Sequence, residues 1–463
     1  MPDKRPAKVI TPLLIAILFY LSFSKLNLWF FIFPALFLLL SSKDWRLWLF
    51  SGFLSFFFSL LWIRIAMIDY GEVLPPLAYA LILLLASFLS LMQFGITYLL
   101  WRSSGFKPFL LPFFWSLTEV LRANFPYGGF PWLLLGELSV DIPFFKYYLS
   151  AGGVYLGSLL LWTPTLIPFL RRNLRYFILI LALFLVPLPF LKTEAVVPEG
   201  LKVALVQPNV DESIKLDTKK FYEYLPHYWE LLDKALEQKP DLVILPESAF
   251  PFTANQLYSR GDKLLKYSKE AVIVTGLIDI RQWEGFKPYN SVFVLKDGKV
   301  VDFYDKVRLL PFGEYVPFPF GFVKSIFGAI AGTDYTPGDG VRCLKVDGIK
   351  LATPVCFEVS YYHLVKDFAE CGELIAVLTN DGWFRDSDGT YQHLRQARVR
   401  ALETRRYVLW VNNTGPSAVI SPDGRILKKI EYGKKGYIIF TFPSSIKVKN
   451  REKRASQSLI VQG

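Results

Sequence analysis

The spacing of apolar residues divides this chain into two unlike halves. Up to about Leu191, long apolar runs rich in Phe, Leu and Trp follow one another with brief polar breaks. From about Leu201 onward, short alternating or apolar stretches are separated by charged, helical-period segments. In the first half the run Val9–Ser42 is broken only by Lys25 and predicts two short membrane passes. Further passes are expected at Leu47–Ala66, Leu77–Trp101, Lys107–Leu121, Phe144–Leu170 and Leu174–Leu191, making seven. The first is expected to be an anchor, since no small-residue cleavage site follows it.

In the second half, strands are predicted at Leu201–Gln207, Asp241–Leu245 and Ala271–Gly276, with a hairpin of Asn290–Leu295 and Lys299–Tyr304 about Asp297-Gly298. Further strands are expected at Leu374–Leu378, Val408–Val411 and Ala418–Ile420. Helical periodicity marks Thr218–Gln238, Asn255–Lys266 and Tyr391–Arg405, and a helix is expected after Cys356. Strands alternating with helices, plus hairpins, predict a layered α/β domain with mixed sheets. The expected organisation is a multi-span domain over 1–192, a linker over 193–200, a soluble domain over 201–446 and a basic tail over 447–463.

Charge then changes one reading. The formal net charge of +12 would suit a nucleic-acid partner. Much of the excess, however, lies in short Lys/Arg clusters between apolar runs, as the positive-inside rule expects of a membrane protein. Lys4, Arg5 and Lys8, then Lys43 and Arg46, Arg102 and Lys107, and Arg171, Arg172 and Arg175 fall on alternate connections. These predict a cytoplasmic N-terminus and a soluble half on the far side of the membrane. The three cysteines, Cys343, Cys356 and Cys371, lack metal-ligand spacing, so no metal is expected. Cys343 and Cys371 could pair in an oxidising compartment or remain two buried thiols.

Candidate chemistry sits at strand ends. Lys350-Leu-Ala-Thr-Pro-Val-Cys-Phe-Glu358 reads as a buried strand that delivers Cys356 at a sharp turn. Glu247 and Lys306 also end or follow strands. A carboxylate to move protons, an ammonium to support an oxyanion and favour the thiolate, and a thiol to attack make a complete set for acyl transfer. Of the three histidines, His227, His363 and His393, the last two lie on helical stretches, which weighs against a Cys–His dyad. In the apolar half, Glu119 and Arg122 share a helix face and are read as a structural pair. Phe125-Pro-Tyr-Gly-Gly-Phe-Pro-Trp132 is an interfacial loop, and the apolar segment Phe318–Gly332 is read as a lid dipping toward the bilayer.

Leu245-Pro-Glu-Ser248, Tyr304-Asp-Lys-Val-Arg-Leu-Leu-Pro-Phe-Gly-Glu-Tyr-Val-Pro317 and Pro354-Val-Cys-Phe-Glu358 resemble the catalytic segments of the nitrilase superfamily. Asn380-Asp-Gly-Trp-Phe384 and Gln392-His-Leu-Arg-Gln-Ala-Arg398 extend the likeness. With the polytopic half and Gly129-Phe-Pro-Trp132, the chain resembles the apolipoprotein N-acyltransferase family. The resemblance implies an αββα sandwich on a helical membrane bundle, in the bacterial inner membrane with the catalytic domain periplasmic. It implies no cofactor, a membrane phospholipid as acyl donor, a diacylglyceryl apolipoprotein as acceptor, and a monomer. It further implies Glu247 as general base, Lys306 as oxyanion stabiliser and Cys356 as nucleophile. Glu314 and Glu358 would be supporting carboxylates, with Asn290 and Trp383 lining the site. The alternative is a membrane-anchored amidase with the same triad and a small soluble substrate. The family often has Tyr where this chain has Phe357, and its members typically end with a further span, whereas Lys447–Gly463 is too short to cross.

Overall fold

The computed structural model describes residues 5–170, 199–282, 285–321 and 334–443. The expected seventh pass, the linker up to residue 198, most of the apolar segment after Phe318 and the basic tail lie outside them.

The soluble half is built on alternation. In β1 (Lys202–Gln207), Val203 and Leu205 point to one core while Ala204 and Val206 point to another, as a side-chain period of two requires. β2 (Leu242–Ile244), β3 (Val272–Arg281), β4 (Lys287–Lys296) and β5 (Lys299–Asp305) continue this sheet, and β12 (Gly436–Thr441) closes its other side, in the order β12-β1-β2-β3-β4-β5. The second sheet runs β11 (Ile426–Ile430), β10 (Ser417–Ile420), β9 (Val408–Asn412), β8 (Leu374–Thr379), β7 (Ile349–Ala352), β6 (Cys343–Val346). β1, β2 and β3 are mutually parallel, as are β7, β8 and β9, while the outer pairs are antiparallel.

The helix Thr218–Leu236 lays Leu225, Tyr228, Leu232 and Ala235 on the outer face of the first sheet. The helices Tyr362–Cys371 and Asp388–Thr404 cover the second. The result is an αββα sandwich whose strand ends deliver the loops of the site. The structure extends several expected elements: β3 runs to Arg281, and the last helix starts at Asp388. It adds three strands that local pattern did not mark, β6, β11 and β12.

The first half is helical, but its helices are shorter than its apolar runs. Among the described residues, Pro75–Ser103 is the one unbroken helix long and apolar enough to cross a membrane, at 29 residues. Trp45–Leu60 and Ile63–Tyr70 would make a second span if joined, across a 51° bend. Two helices, Arg5–Phe23 and Ile32–Leu40, share the first apolar run. The expected pass at Lys107–Leu121 becomes a short 3-10 turn and the helix Leu111–Asn124. At about 1.5 Å per residue such a helix falls short of a ~30 Å hydrocarbon core. The expected pass Phe144–Leu170 is broken into Lys146–Leu161 and Thr163–Leu170 and kinked at Gly153, where φ is +67°. Many large apolar side chains point outward here, among them Leu14, Phe37, Leu84, Phe88, Phe113 and Leu117. Such a continuous greasy exterior suits lipid rather than water.

Glu119 and Arg122 have the structural surroundings expected of them. Trp115 Nε1 and the Leu135 amide donate to Glu119 Oε1 at 2.9 and 2.7 Å. The Arg122 guanidinium donates to the carbonyls of Phe130, Trp132 and Leu133 and to Gln93, so it fixes the Gly-Pro-aromatic loop.

The two halves share one continuous hydrophobic core, and the helix Asp388–Thr404 docks them together through polar side chains. Gln392 Oε1 accepts from Trp62 and Trp132 at 3.1 and 2.7 Å, while its Nε2 donates to the carbonyls of Ser59 and Phe23. Gln396 donates to Pro131 and Glu137, and Arg398 to Asp141 at 2.6 Å. The kink at Gly153 frees the Val154 amide, which donates to Glu403 at 2.6 Å.

Cys343 and Cys371 form a disulfide across 28 positions, tying edge strand β6 to the end of the helix Tyr362–Cys371. Replacing both cysteines by serine is expected to cost about 2–4 kcal/mol of stability through the loop released in the unfolded chain. Thermal unfolding of the detergent-solubilised protein, with and without reductant, measures this. A reductant-sensitive midpoint in the parent and an insensitive, lower one in the double variant is the expected result.

Candidate active site

The geometry of each candidate residue follows from where its strand stops. β2 ends in Leu245-Pro246, and Glu247 is delivered against β3 at Gly276. A Cβ on Gly276 would sit 2.7 Å from Glu247 Cα, so only glycine lets the two backbones approach this closely. β5 ends at Asp305, and Lys306 is pinned by its amide to the Asn290 carbonyl at 2.9 Å. The chain then turns at Leu310–Tyr315 and brings Glu314 back over Lys306. The Leu310 amide donates to Glu314 Oε2 at 2.7 Å, and the Glu314 amide to the Leu310 carbonyl at 2.8 Å.

These residues form one hydrogen-bonded group. Lys306 Nζ, with its residue 2% exposed, lies 2.8–2.9 Å from both Glu314 oxygens and 3.8 Å from Glu247 Oε1. Asn290 Nδ2 donates to Glu247 Oε1 at 2.7 Å and to Glu314 Oε1 at 3.0 Å. An ammonium shut away from water is tolerated because carboxylates surround it. Burial alone would drive its proton off, but Glu314, Glu247 and the neighbouring Cys356 hold its pKa above the usual lysine range.

Cys356 opens the 3-10 turn Cys356–Ser360 beyond β7 and adopts φ of +50°, a left-handed conformation that non-glycine residues rarely take. The turn is held from several sides. His393 Nε2 lies 3.2 Å from the Cys356 carbonyl, and His393 Nδ1 lies 2.8 Å from Asp381 Oδ1. Asn412 in turn donates to Asp381 Oδ2 at 2.7 Å. His393 therefore supports the main chain of the turn and makes no dyad with the sulfur. His227 and His363 lie on other helices.

Glu358 is fully buried and accepts four bonds: the Tyr304 hydroxyl and the Val307 and Arg308 amides on Oε1, and the Val355 amide on Oε2. Burial raises its pKa above the usual carboxylate range, and the Arg308 and Val355 amides, the Lys306 charge and the Tyr304 hydroxyl offset only part of the rise. It supports the site from behind, by joining the Lys306 loop to the Cys356 turn. Trp383, expected to line the site, packs edge-on against Tyr70 of the helical half at 5.5 Å and stands at the junction of the halves. Phe357 stacks on Trp132, with centroids 5.9 Å apart and planes 13° from parallel, so the Gly-Pro-aromatic loop reaches the turn that carries the thiol.

Two contributors were not foreseen. Lys215 sends its ammonium to the Glu247 carbonyl at 3.4 Å; nothing local distinguishes it from a surface lysine. The Asp381–His393–Asn412 chain lay inside or near the resembling segments, but its connectivity is a product of the fold.

The electrostatics adjust one expectation. Burial and the Glu247 charge push the Cys356 thiol well above its usual range, against the opposing pull of Lys306 and Thr379. The resting group is a thiol, and Lys306 moderates rather than reverses this. Glu247 is a carboxylate close enough for its charge to act on the thiol.

Comparison with known proteins accords with this geometry. A family model described as carbon-nitrogen hydrolase matches residues 202–447, and one described as apolipoprotein N-acyltransferase N-terminal domain matches residues 15–164. A relative from Aquifex aeolicus named apolipoprotein N-acyltransferase is 51% identical over 96% of this chain and 100% of its own length. The chain belongs to the apolipoprotein N-acyltransferase family. A Haemophilus ducreyi protein of the same name is 30% identical, over 80% of this chain and 76% of its own length. Among solved structures, a Saccharomyces cerevisiae member of branch 10 of the nitrilase superfamily aligns with 57% of this chain and 97% of its own, at 17% identity and a TM-score of 0.41. An amidase from Nesterenkonia sp. covers 57% and 98%, at 18% identity and a TM-score of 0.40.

The charge assignments make an opposed pair of outcomes. Since the Glu247 charge raises the Cys356 pKa and the Lys306 charge lowers it, Glu247→Gln should increase the thiolate fraction at neutral pH and Lys306→Met should decrease it. Alkylation of Cys356 by iodoacetamide at fixed pH, read by mass spectrometry, should be faster than in the parent for the first variant and slower for the second. The reverse order would show that neither charge governs the thiol.

Proposed function

We propose that this protein transfers an acyl chain from a membrane phospholipid to the α-amine of the diacylglyceryl-modified N-terminal cysteine of apolipoproteins, by way of a thioester on Cys356. The observation that carries the reading is end-to-end likeness to a named apolipoprotein N-acyltransferase, helical half included. The Glu247–Lys306–Cys356 arrangement supports it with the chemistry.

In the first half-reaction Glu247 takes the Cys356 proton as the sulfur attacks the ester carbonyl. Lys306, held in place by Glu314, stabilises the oxyanion. The bond to glycerol then breaks, and Glu247 returns the proton to the departing oxygen, leaving a lysophospholipid and a thioester. In the second half-reaction the amine attacks the thioester, Glu247 accepts its proton, the C–S bond breaks, and Glu247 passes that proton to the departing Cys356 sulfur, restoring the thiol. An α-amine has a pKa near ~8, so a useful fraction is neutral at working pH. This is two-step covalent catalysis with ping-pong kinetics. Water is the competing acceptor, and the stacked Trp132 and Phe357 supply part of an apolar wall against it.

The outward apolar side chains of the helical half and the Lys/Arg asymmetry of its connections support a multi-pass location in a bacterial inner membrane. The same asymmetry supports a catalytic domain on the periplasmic side, where an oxidising milieu suits the Cys343–Cys371 disulfide. The orientation is open to direct measurement. Cysteines introduced singly at Gly105 and at Asp297, in a background free of other cysteines, report on opposite sides. A membrane-impermeant thiol reagent applied to cells with only the outer membrane permeabilised should label position 297 and spare position 105. Labelling of 105 alone would invert the topology.

The amidase alternative passes through the same kind of acyl-enzyme but hydrolyses it within a turnover. Purified protein incubated with phospholipid alone should accumulate a hydroxylamine-labile fatty acyl mass on the Cys356 peptide. The adduct should move to the amine of an added diacylglyceryl-cysteine peptide. Cys356→Ala should abolish it, Glu247→Gln should lose both half-reactions, and Lys306→Met should fail at thioester formation by roughly 100- to 1000-fold, as for other oxyanion donors. Free fatty acid with no adduct would mean that water is the acceptor.

A further inference from the structure

Lys215 ends the short helical turn Glu212–Lys215, close after β1. Among the described residues, its ammonium makes a single hydrogen bond, the 3.4 Å contact with the Glu247 carbonyl, and has no carboxylate within ion-pair distance. The contrast with Lys306 is sharp. That lysine is enclosed and fully engaged by Glu314, whereas Lys215 is half-buried and makes one hydrogen bond with its three N–H donors. Its place is nevertheless fixed. Glu212 beside it is buried and accepts from Asn380 Nδ2 at 2.9 Å, which keeps a negative charge near the ammonium without consuming its donors. Burial lowers its pKa below the usual lysine range, and the charges of Glu212, Glu247 and Cys356 offset part of that loss. Lys215 therefore shares one electrostatic field with the nucleophile and the base.

We propose that Lys215 is the subsite for the phosphodiester of the acyl donor, on the leaving-group side of Glu247. This rests on the acyl-transfer reading above. The reasoning follows the atoms. When the thiol attacks, the ester bond to glycerol breaks, and the glycerol oxygen receives its proton from Glu247. The leaving group must then lie along Glu247, and its phosphodiester sits at the other end of the same glycerol. Lys215 is the further cation at this point, hydrogen-bonded to the main-chain carbonyl of Glu247 and close enough for its charge to couple to Cys356. A phosphodiester stays anionic at any working pH, and a half-buried ammonium with unused donors is the partner such an anion needs. A neutral acyl ester offers it nothing.

The same position has a consequence for the second half-reaction. The lipoprotein amine enters where the glycerol left. A fixed cation there disfavours the ammonium form of the acceptor and favours the neutral amine that can attack.

The test compares two donors that share the same ester: phosphatidylethanolamine, and diacylglycerol with identical chains. The rate of acyl-Cys356 formation is followed by mass spectrometry. The parent should prefer the phospholipid, and Lys215→Met should reduce the ratio of the two rates by about 10- to 100-fold, the usual worth of a charged hydrogen bond. Lys215→Arg should restore most of that ratio, because it keeps the charge and the donors. Equal slowing on both donors, with the ratio intact, would overturn the subsite and leave Lys215 as a positioning residue for Glu247. An unaffected ratio without slowing would overturn it outright. Failure of the parent to form any adduct from phospholipid would instead count against the acyl-transfer reading, so the two failures are told apart.

Discussion

The placement of Lys306 against Cys356 depends on one buried carboxylate, Glu358. Glu358 accepts from Tyr304, Val307 and Arg308 on the first sheet's side and from Val355 on the second's. Lys306 and Cys356 come from different sheets, and a sandwich by itself would let their loops slide. A fully desolvated carboxylate with four donors cannot give up a bond cheaply, because each lost partner leaves a charge unpaired in a low-dielectric interior. That stiffness is what a near-attack arrangement of thiol and oxyanion donor needs. It also explains why the left-handed Cys356 can persist. Glu358 below and His393 beside hold the turn more firmly than the strain of a single residue can undo.

A second constraint links this clasp to the helical half. The helix Asp388–Thr404 is polar in sequence yet buried along most of its length. Its side chains face two ways. His393 reaches the nucleophile turn, while Gln392, Gln396, Arg398 and Glu403 reach Trp62, Trp132, Pro131, Asp141 and Val154. Trp132 then completes a loop by stacking on Phe357. The membrane-facing half is therefore part of the scaffold of the active site. Phe357 serves here through its ring face, which accounts for a hydroxyl being dispensable at that position.

Much of this was legible in the sequence, and the exceptions have physical causes. Strands β1, β2, β8 and β9 and the hairpin β4–β5 announced themselves because burial on one or both faces forces an apolar pattern. β11, Ile-Leu-Lys-Lys-Ile, is an exposed edge strand, where no such demand operates and lysines protect the edge. β12 takes its place by pairing with β1, a long-range fact. Hydropathy counted apolar residues correctly but could not see helix breaks, since the kink at Gly153 and the bend after Leu60 leave the average unchanged. Glu247, Lys306 and Cys356 stand at or just beyond strand ends, and Asn290 and Glu314 join the first two by direct hydrogen bonds. Trp383 packs against Tyr70 of the helical half, a contact between distant segments that no local pattern announces. Lys215 carries no local signal at all.

Burial of the thiol follows from the same architecture and gives the reaction its order. A cysteine that rested as thiolate beside a membrane would react with any electrophile that reached it. Here desolvation and the Glu247 carboxylate hold the thiol pKa up, while Lys306 is enclosed and kept charged by its carboxylate neighbours. In the proposed acyl transfer an ammonium already fixed by Glu314 would need no reorganisation when charge moves onto the substrate oxygen. Asn290, a neutral donor, is the close partner of Glu247 at 2.7 Å, and Lys306 Nζ stays a full ångström further away at 3.8 Å. The enclosed ammonium is thus paired with Glu314, while Asn290 bridges the two carboxylates and keeps Glu247 in the same group without a tight ion pair.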